Sequence, residues 1–156
     1  MFPITTGNKI AGTIEGLEAW AAWQATPRLR FNLGGTHLHK SLHNEAGSTD
    51  PVGPANLGND PDTHWIARSA FNLRPGHELD VALRHSSSRA ALPPTNTDPI
   101  PSYTGLDVRY AWSVSKALEL ALVGTNLLDP SHREWGDRTV SSEIARSVFL
   151  RATWRM

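Results

Sequence analysis

The sequence contains no cysteine, which excludes a disulfide framework and a metal site built from thiolates. It also lacks any apolar run approaching the roughly 20 residues that a membrane-spanning helix needs. Neither sign of charge is in excess, because 15 Lys and Arg balance 15 Asp and Glu, so the composition does not indicate a nucleic-acid partner. A barrel strand needs only about 9 to 11 alternating residues, so these absences leave a β-barrel membrane protein open.

Helical periodicity is missing as well, because Gly and Pro interrupt every segment and no apolar stripe with a 3.6-residue repeat lasts three turns. Alternation of apolar and polar residues predicts β-strands instead. We predict seven strands, at residues 9–24, 28–41, 63–73, 77–87, 103–113, 117–128 and 145–156. The predicted fold class is therefore all-β, an antiparallel meander of about seven strands.

The predicted strands have two unlike faces, most clearly in the final stretch SVFLRATWRM. One face carries Val148, Leu150, Ala152, Trp154 and Met156, and the other carries Phe149, Arg151, Thr153 and Arg155. In a membrane barrel the apolar face would contact lipid and the polar face would line an aqueous interior. In a soluble sandwich a second sheet would cover the apolar face instead.

The connections alternate in length, with tight turns at 25–28, 74–77 and 113–117 and long segments at about 42–62, 88–102 and 129–144. Outer-membrane barrels have this asymmetry, with short periplasmic turns and longer extracellular loops. Trp23, Trp112 and Trp154 stand near the short-turn end, while Trp65 and Tyr103 follow long loops. Because aromatic rings favour the headgroup level, we predict an aromatic girdle at each rim.

Residues 101–136, PSYTGLDVRYAWSVSKALELALVGTNLLDPSHREWG, followed by RSVFLRATWRM at 146–156, resemble the carboxyl-terminal barrel strands of TonB-dependent outer-membrane receptors. Two motifs carry the resemblance, a Tyr-Thr-x-Leu-Asp stretch from Tyr103 to Asp107 and an Asn-Leu-Leu-Asp motif from Asn126 to Asp129. Residues 16–38 and 68–85 also resemble the preceding hairpins of that family.

The resemblance implies a part of a 22-stranded outer-membrane barrel, whose complete molecule takes up ferric siderophores, cobalamin or similar scarce ligands. It implies four partners: outer-membrane lipid, the rest of the barrel with its amino-terminal plug, the TonB complex acting through that plug, and a metal chelate as ligand. Residues 1–156 would be the carboxyl-terminal segment, without the plug and not competent for transport alone. The family usually ends in an aromatic residue, whereas this sequence ends in Met156.

The expected location is the cell outer membrane, as part of the full receptor, although MFPITTGNKI does not read as a secretory signal. Two alternatives remain open: a small complete outer-membrane barrel acting as a pore or adhesin, and a soluble carbohydrate-binding β-sandwich. Single-chain bacterial barrels have an even number of strands, starting at eight, which disfavours the first. The sandwich would require polar residues at the outward positions of the sheet.

Two groups of polar residues are candidates for a metal site or an acid/base site. His37 and His39 in HLHKSLH share one face at a spacing that suits a metal, but His37 continues the outward apolar parity and no third ligand is evident. The residues Asp129, His132, Arg133 and Glu134 could form an acid/base cluster. Without a nucleophile elbow, ion pairing between loops is the better interpretation. We therefore predict no enzyme activity, catalytic residue, metal site or cofactor, and the sequence leaves the ligand-binding residues unknown.

The inward face carries charges of both signs. Its arginines are Arg30, Arg84, Arg109, Arg151 and Arg155, and its carboxylates are Glu78, Asp80, Asp107 and Glu119. We predict that these groups pair across neighbouring strands or with the plug, in a structural role.

Overall fold

The computed structural model describes residues 7–92, 98–136, 139 and 141–156. Its main strands are β1 (Ile10–Thr26), β2 (Leu29–Asn44), β3 (Thr63–Arg74), β4 (His77–Ser86), β5 (Tyr103–Ser113), β6 (Leu118–Thr125) and β9 (Ser147–Trp154). The smaller elements are α1 (Gly53–Leu57), β7 (Ser131–His132) and β8 (Ile144–Ala145). Within the described residues, the seven main strands form one sheet in the order β1-β2-β3-β4-β5-β6-β9, and every neighbouring pair is antiparallel.

This architecture confirms the predicted all-β meander, and the seven predicted strands match the observed ones to within a few residues. The sixth strand ends earlier than predicted because Asn126 adopts a positive φ of 53°, which extended backbone does not allow. β1 runs to Thr26, two residues past its predicted end at the turn, and β2 runs to Asn44, three residues past its predicted end toward the first long loop. Alternation had not predicted α1 or the pair β7–β8, both of which lie in long connections.

The register of the strands brings apolar residues together on one side, which we call the outer face. Between β4 and β5, for example, Leu83 lies opposite Leu106, and Leu79 lies opposite Tyr110. Among the described residues no second sheet packs on this face, and large side chains such as Trp23 and Leu150 remain 63% and 70% exposed. The outer face therefore has the apolar character that contact with lipid requires.

The outer face becomes polar toward the long-loop end of the sheet. On β1 the apolar positions run from Trp23 to Leu17, and Glu15 and Thr13 continue the same parity beyond them. Because β1 is longer than the 9 to 11 residues that cross a bilayer, its far end extends past the apolar band.

The turns at the opposite end are tight. In the turn between β3 and β4, Gly76 has a φ of 76°, a conformation that residues with a Cβ rarely adopt. The Gly76 carbonyl accepts a hydrogen bond of 2.8 Å from the Ser113 backbone N–H of β5, which ties this turn to the next hairpin.

One lysine holds the first long loop against the sheet. The Lys40 ammonium of β2 donates to the carbonyl oxygens of Gly58 at 2.9 Å and Asp60 at 2.6 Å, and it lies 3.1 Å from the Asp62 carboxylate. Two hydrogen bonds and one ion pair from a single lysine therefore hold the loop after α1 beside β2. None of the helices in the described residues is long and apolar enough to cross a membrane.

Leu150 and Phe149, adjacent residues of β9, provide a test of the two faces. If the outer face meets lipid, Leu150→Arg should cost about 2–4 kcal/mol of folding free energy, because its guanidinium would enter hydrocarbon. Phe149→Arg should cost much less, because this side chain faces the opposite side, where it lies across from Val123. Urea titrations of the folding of the complete barrel into lipid vesicles would measure both costs, and equal losses would contradict the assignment of the faces.

Candidate functional site

The inner face, opposite the apolar one, is organised around the guanidinium of Arg109 in β5. Its Nη1 donates to Asp80 at 2.8 Å and to Glu78 at 3.2 Å on β4, and its Nη2 donates to Glu119 at 2.8 Å on β6. One arginine thus joins three adjacent strands. This network confirms the predicted pairing of inward charges for these four residues.

A second ion pair lies nearer the long-loop end. Arg84 Nη1 of β4 donates to Asp107 Oδ2 of β5 at 2.5 Å. The guanidinium reaches Asp107 by lying over Gly105, where an added Cβ would stand only 2.9 Å from Arg84 Cζ. Gly105 therefore provides the space that this pair needs.

Asp107 also connects the two motifs noted in the sequence. Its Oδ1 accepts a hydrogen bond of 2.8 Å from the Asn126 backbone N–H, at the point where β6 ends. Asn126 is fully buried, and its side-chain amide donates to the Ile144 carbonyl at 3.0 Å. The Leu127 N–H then donates to the Leu106 carbonyl at 2.8 Å. The Tyr-Thr-x-Leu-Asp and Asn-Leu-Leu-Asp motifs are therefore two halves of one structural junction.

The pairing predicted for the other inward arginines is not found within the part of the chain that the structure describes. Arg30, Arg151 and Arg155 form no ion pair there, and neither does Arg68, which the sequence analysis did not single out. Arg30 and Arg68 line an open depression of about 320 Å³ together with Asn32. Asn32 lies directly opposite Arg68 in the pairing of β2 with β3. Asp80, Asp107 and Arg109 also line the depression, so its lining contains three arginines and two carboxylates.

Another part of the inner face is apolar, which the sequence analysis missed. Trp20 of β1 lies opposite Gly34, which in turn lies opposite Ile66. Trp20 is 83% exposed and on the side opposite Trp23. Trp20 and Trp23 are three positions apart, and residues of a strand that are an odd number of positions apart lie on opposite faces. The sequence could therefore have placed Trp20 on the inner face.

Two aromatic rings stack on each other at the long-loop end of β5. The rings of Tyr103 and His132 are 3.9 Å apart at their centroids and nearly parallel. The prediction that Tyr103 belongs to an outward aromatic girdle was therefore wrong. Tyr103 shares the inward parity of Asp107, and the His132 ring of the last long loop covers it.

The loop cluster predicted from Asp129, His132, Arg133 and Glu134 does form ion pairs. The His132 nitrogens lie 3.2 Å from Asp129 and 3.3 Å from Glu134, although the Nδ1 contact lacks hydrogen-bond geometry. Arg133 reaches the neighbouring long loop, where it donates to the Pro99 carbonyl at 3.1 Å and lies 3.8 Å from Asp98. The predicted pairing between loops is confirmed by Arg133.

The two histidines of HLHKSLH lie on the outer face above the apolar band. His37 is opposite Leu17, and its Nδ1 lies 2.8 Å from the Thr63 hydroxyl, while His39 is opposite Glu15. Among the described residues, no group of three or more His, Cys, Asp or Glu side chains is placed to hold a metal ion. The outward direction predicted for His37 is confirmed.

Aromatic rings gather on the outer face near the short turns. Trp23 stacks on Phe31 with centroids 5.6 Å apart, and Trp112 stacks on His77 at 5.9 Å. Trp154 of β9 is 68% exposed. These rings form the girdle that was predicted for this end of the sheet.

Comparison with solved structures identifies the fold. The sequence matches no protein-family model and no curated protein. The structure is similar to that of the siderophore receptor PiuA from Acinetobacter baumannii, with a TM-score of 0.69 and 19% identity over 90% of this chain and 21% of that one. It is also similar to the closed form of the ferric-catecholate import receptor Fiu from E. coli K12, with a TM-score of 0.67 and 17% identity over 89% of this chain and 20% of that one.

The chain has the fold of part of an outer-membrane receptor barrel. It spans about a fifth of the length of each of these two receptors. The identities of 19% and 17% make this a likeness of fold. The seven-stranded antiparallel sheet is therefore the feature that this chain shares with these receptors.

The junction at Asp107 is open to a mutational test. Asp107→Ala should lower the free energy of unfolding by about 2–3 kcal/mol, because it leaves the Arg84 guanidinium and the buried Asn126 N–H without their acceptor. Asp80→Ala is the matched control and should cost about 1 kcal/mol or less, because Arg109 keeps Glu78 and Glu119. Urea unfolding of the complete barrel in lipid would compare the two variants, and equal losses would contradict the inference that the Asp107 contacts contribute more to stability than the Asp80 contact does.

Proposed function

We propose that this chain is the carboxyl-terminal part of the barrel of a TonB-dependent outer-membrane receptor, which takes up ferric siderophores or similar scarce metal chelates. The observation that carries the proposal is the seven-stranded, two-faced sheet that superposes on siderophore receptors with TM-scores of 0.69 and 0.67. Transport would belong to the complete molecule, to which this segment would contribute part of the barrel wall with its turns and loops.

The outer face supports a location in the membrane. Its exposed residues are large and apolar over the middle of the strands, and rings of Trp and His mark the short-turn end. Lipid would cover this face in the outer membrane, as in other transmembrane barrels. Exposure of this face to water would be unfavourable in free energy, because its large apolar side chains would stay hydrated.

Strand direction supports membership of a larger barrel. In an antiparallel meander of seven strands, β1 and β9 are first and last, so they run in the same direction. Antiparallel closure between them therefore requires an odd number of additional strands. A barrel of about 22 strands, the size of the large outer-membrane transporters, would supply that odd number.

The same argument disfavours the first alternative, a small complete pore or adhesin, because the described strands cannot close on themselves in antiparallel fashion. A carbohydrate-binding sandwich is disfavoured by the uncovered outer face, since among the described residues no second sheet packs on it. Both alternatives therefore require structure that differs from the described sheet.

The inner face supports contact with another part of the receptor. Arg30, Arg68 and Arg151 have no ion-pair partner in the part of the chain that the structure describes, and Trp20 adds an exposed apolar surface on β1. Charged and apolar groups on the inside of a receptor barrel would contact its plug, through which the TonB complex would act. The metal chelate as ligand rests on the titles of the two structural neighbours, a siderophore receptor and a ferric-catecholate import receptor.

The orientation of the sheet is testable in cells that carry the complete receptor. A cysteine at Asn56, within α1 in the first long connection, should react with a membrane-impermeant maleimide on intact cells. A cysteine at Pro75, in a short turn, should react only after the outer membrane is permeabilised. Asn96 and Asp137, in the other two long loops, lie outside the described residues and are expected to behave as Asn56 does. Labelling of Pro75→Cys on intact cells would reverse the orientation.

Behaviour without detergent separates the proposal from its alternatives. The isolated 156-residue chain should aggregate, because its apolar face and both sheet edges are uncovered. Sedimentation and circular dichroism would measure this. A soluble monomer that melts cooperatively would overturn the proposal in favour of the sandwich. A heat-modifiable monomer in detergent that conducts ions would overturn it in favour of the small barrel.

A further inference from the structure

The short-turn end of the sheet carries a set of free cations, which we call the basic rim. It consists of Arg28 between β1 and β2, Arg74 between β3 and β4, Lys116 between β5 and β6, and Arg155 after β9. All four are exposed, and none forms an ion pair with any residue that the structure describes. Each hairpin turn at this end thus presents one uncompensated positive charge.

No carboxylate stands in these turns to balance the rim. The turn segments 25–28, 74–77 and 113–117 contain no Asp or Glu. The nearest carboxylates, Glu78 and Glu119, lie on the inner face, and Arg109 binds both of them. Arg109 offsets one of the three negative charges of Glu78, Asp80 and Glu119, so these carboxylates reduce the positive charge of the four rim cations without cancelling it.

The four cations act together. Neighbouring strands lie about 4.8 Å apart, so successive turns along the sheet edge are roughly 10 Å apart. This distance is similar to the Debye length of about 8–10 Å at physiological salt, so the fields of adjacent turns overlap. A partner that carries many negative charges across a surface would interact with all four at once.

The position of the rim identifies that partner. Trp23, Trp112 and Trp154 lie on the outer face near the same end, and such rings settle at the headgroup level of a bilayer. The rim cations, at or beyond that level, would meet the phosphates of the headgroups. We propose that the basic rim binds the anionic phospholipid headgroups of the leaflet at the short-turn end. This inference rests on the proposed function for the presence of a bilayer.

A pair of charge-neutral variants tests the proposal with a matched control. Arg28→Gln with Lys116→Gln removes two rim cations, and Lys9→Gln with Arg146→Gln removes two exposed cations at the long-loop end. The 156-residue chain would be diluted from urea into phosphatidylcholine vesicles, with or without phosphatidylglycerol. Tryptophan fluorescence would report its partition, and circular dichroism would confirm equal strand content in all variants.

The rim variant should lose about 10- to 30-fold in partition into the anionic vesicles, because each cation near an anionic surface contributes about fivefold. The long-loop variant should lose less than about threefold, and added salt should weaken the binding of the unaltered chain. Equal partition of the unaltered chain into neutral and anionic vesicles would overturn the inference and leave the proposed function intact. An equal loss in both variants would also overturn it.

Discussion

Pairing of backbone hydrogen-bonding groups is the constraint on which the rest of this structure depends. A strand in hydrocarbon has no water to satisfy its N–H and C=O groups, so each must find a partner on a neighbouring strand. The antiparallel ladder from β1 to β9 meets this demand over the paired spans of the five inner strands, whereas β1 and β9 each have one neighbour among the described strands. Once the ladder is formed, the pleat sends alternate side chains to opposite sides. The apolar outer face and the charged inner face both follow from that geometry.

The inner face shows how such a sheet accommodates charge. Arg109 is surrounded by Asp80, Glu78 and Glu119 from the two adjacent strands, so its guanidinium is satisfied within the sheet. Cross-strand pairs of opposite charge favour one register over its neighbours, because a shift by one residue would move every partner to the other face. The network therefore contributes to the choice of register as well as to stability. Its polar atoms are nearly all paired among the described residues, with Arg109 Nε an exception.

The two ends of the sheet differ in how their charges are arranged. At the long-loop end, Lys40 and Arg133 are bound by carbonyl and carboxylate oxygens of the loops, so their charges fix loop positions. At the short-turn end, the turns are too tight to fold back on their cations, and these remain exposed. The long-loop end thus uses Lys40 and Arg133 to hold its loops, whereas the cations of the short turns are available to an external partner.

Much of the fold could be predicted from the sequence, because strand periodicity is a local property. The alternation in Leu79, Val81 and Leu83 indicates a face whatever the neighbouring strand is. The lengths of the connections likewise predicted which end has turns and which has loops. Resemblance of two motifs to receptor barrels agreed with the fold that comparison of structures then identified.

Contacts between residues distant in the chain were decided only by the tertiary structure. Alternation places Asp107 on the inner face, but its acceptance of the Asn126 N–H depends on β6 ending beside it. Tyr103 shares that parity, yet its ring is covered by His132 from a loop whose path no periodic pattern describes. By itself the sequence determined the strands, their faces and the end at which each loop lies, since these depend on neighbours along the chain. The partners of Asp107, Arg109 and Tyr103 depend on register and loop path, which arise only when the strands pair.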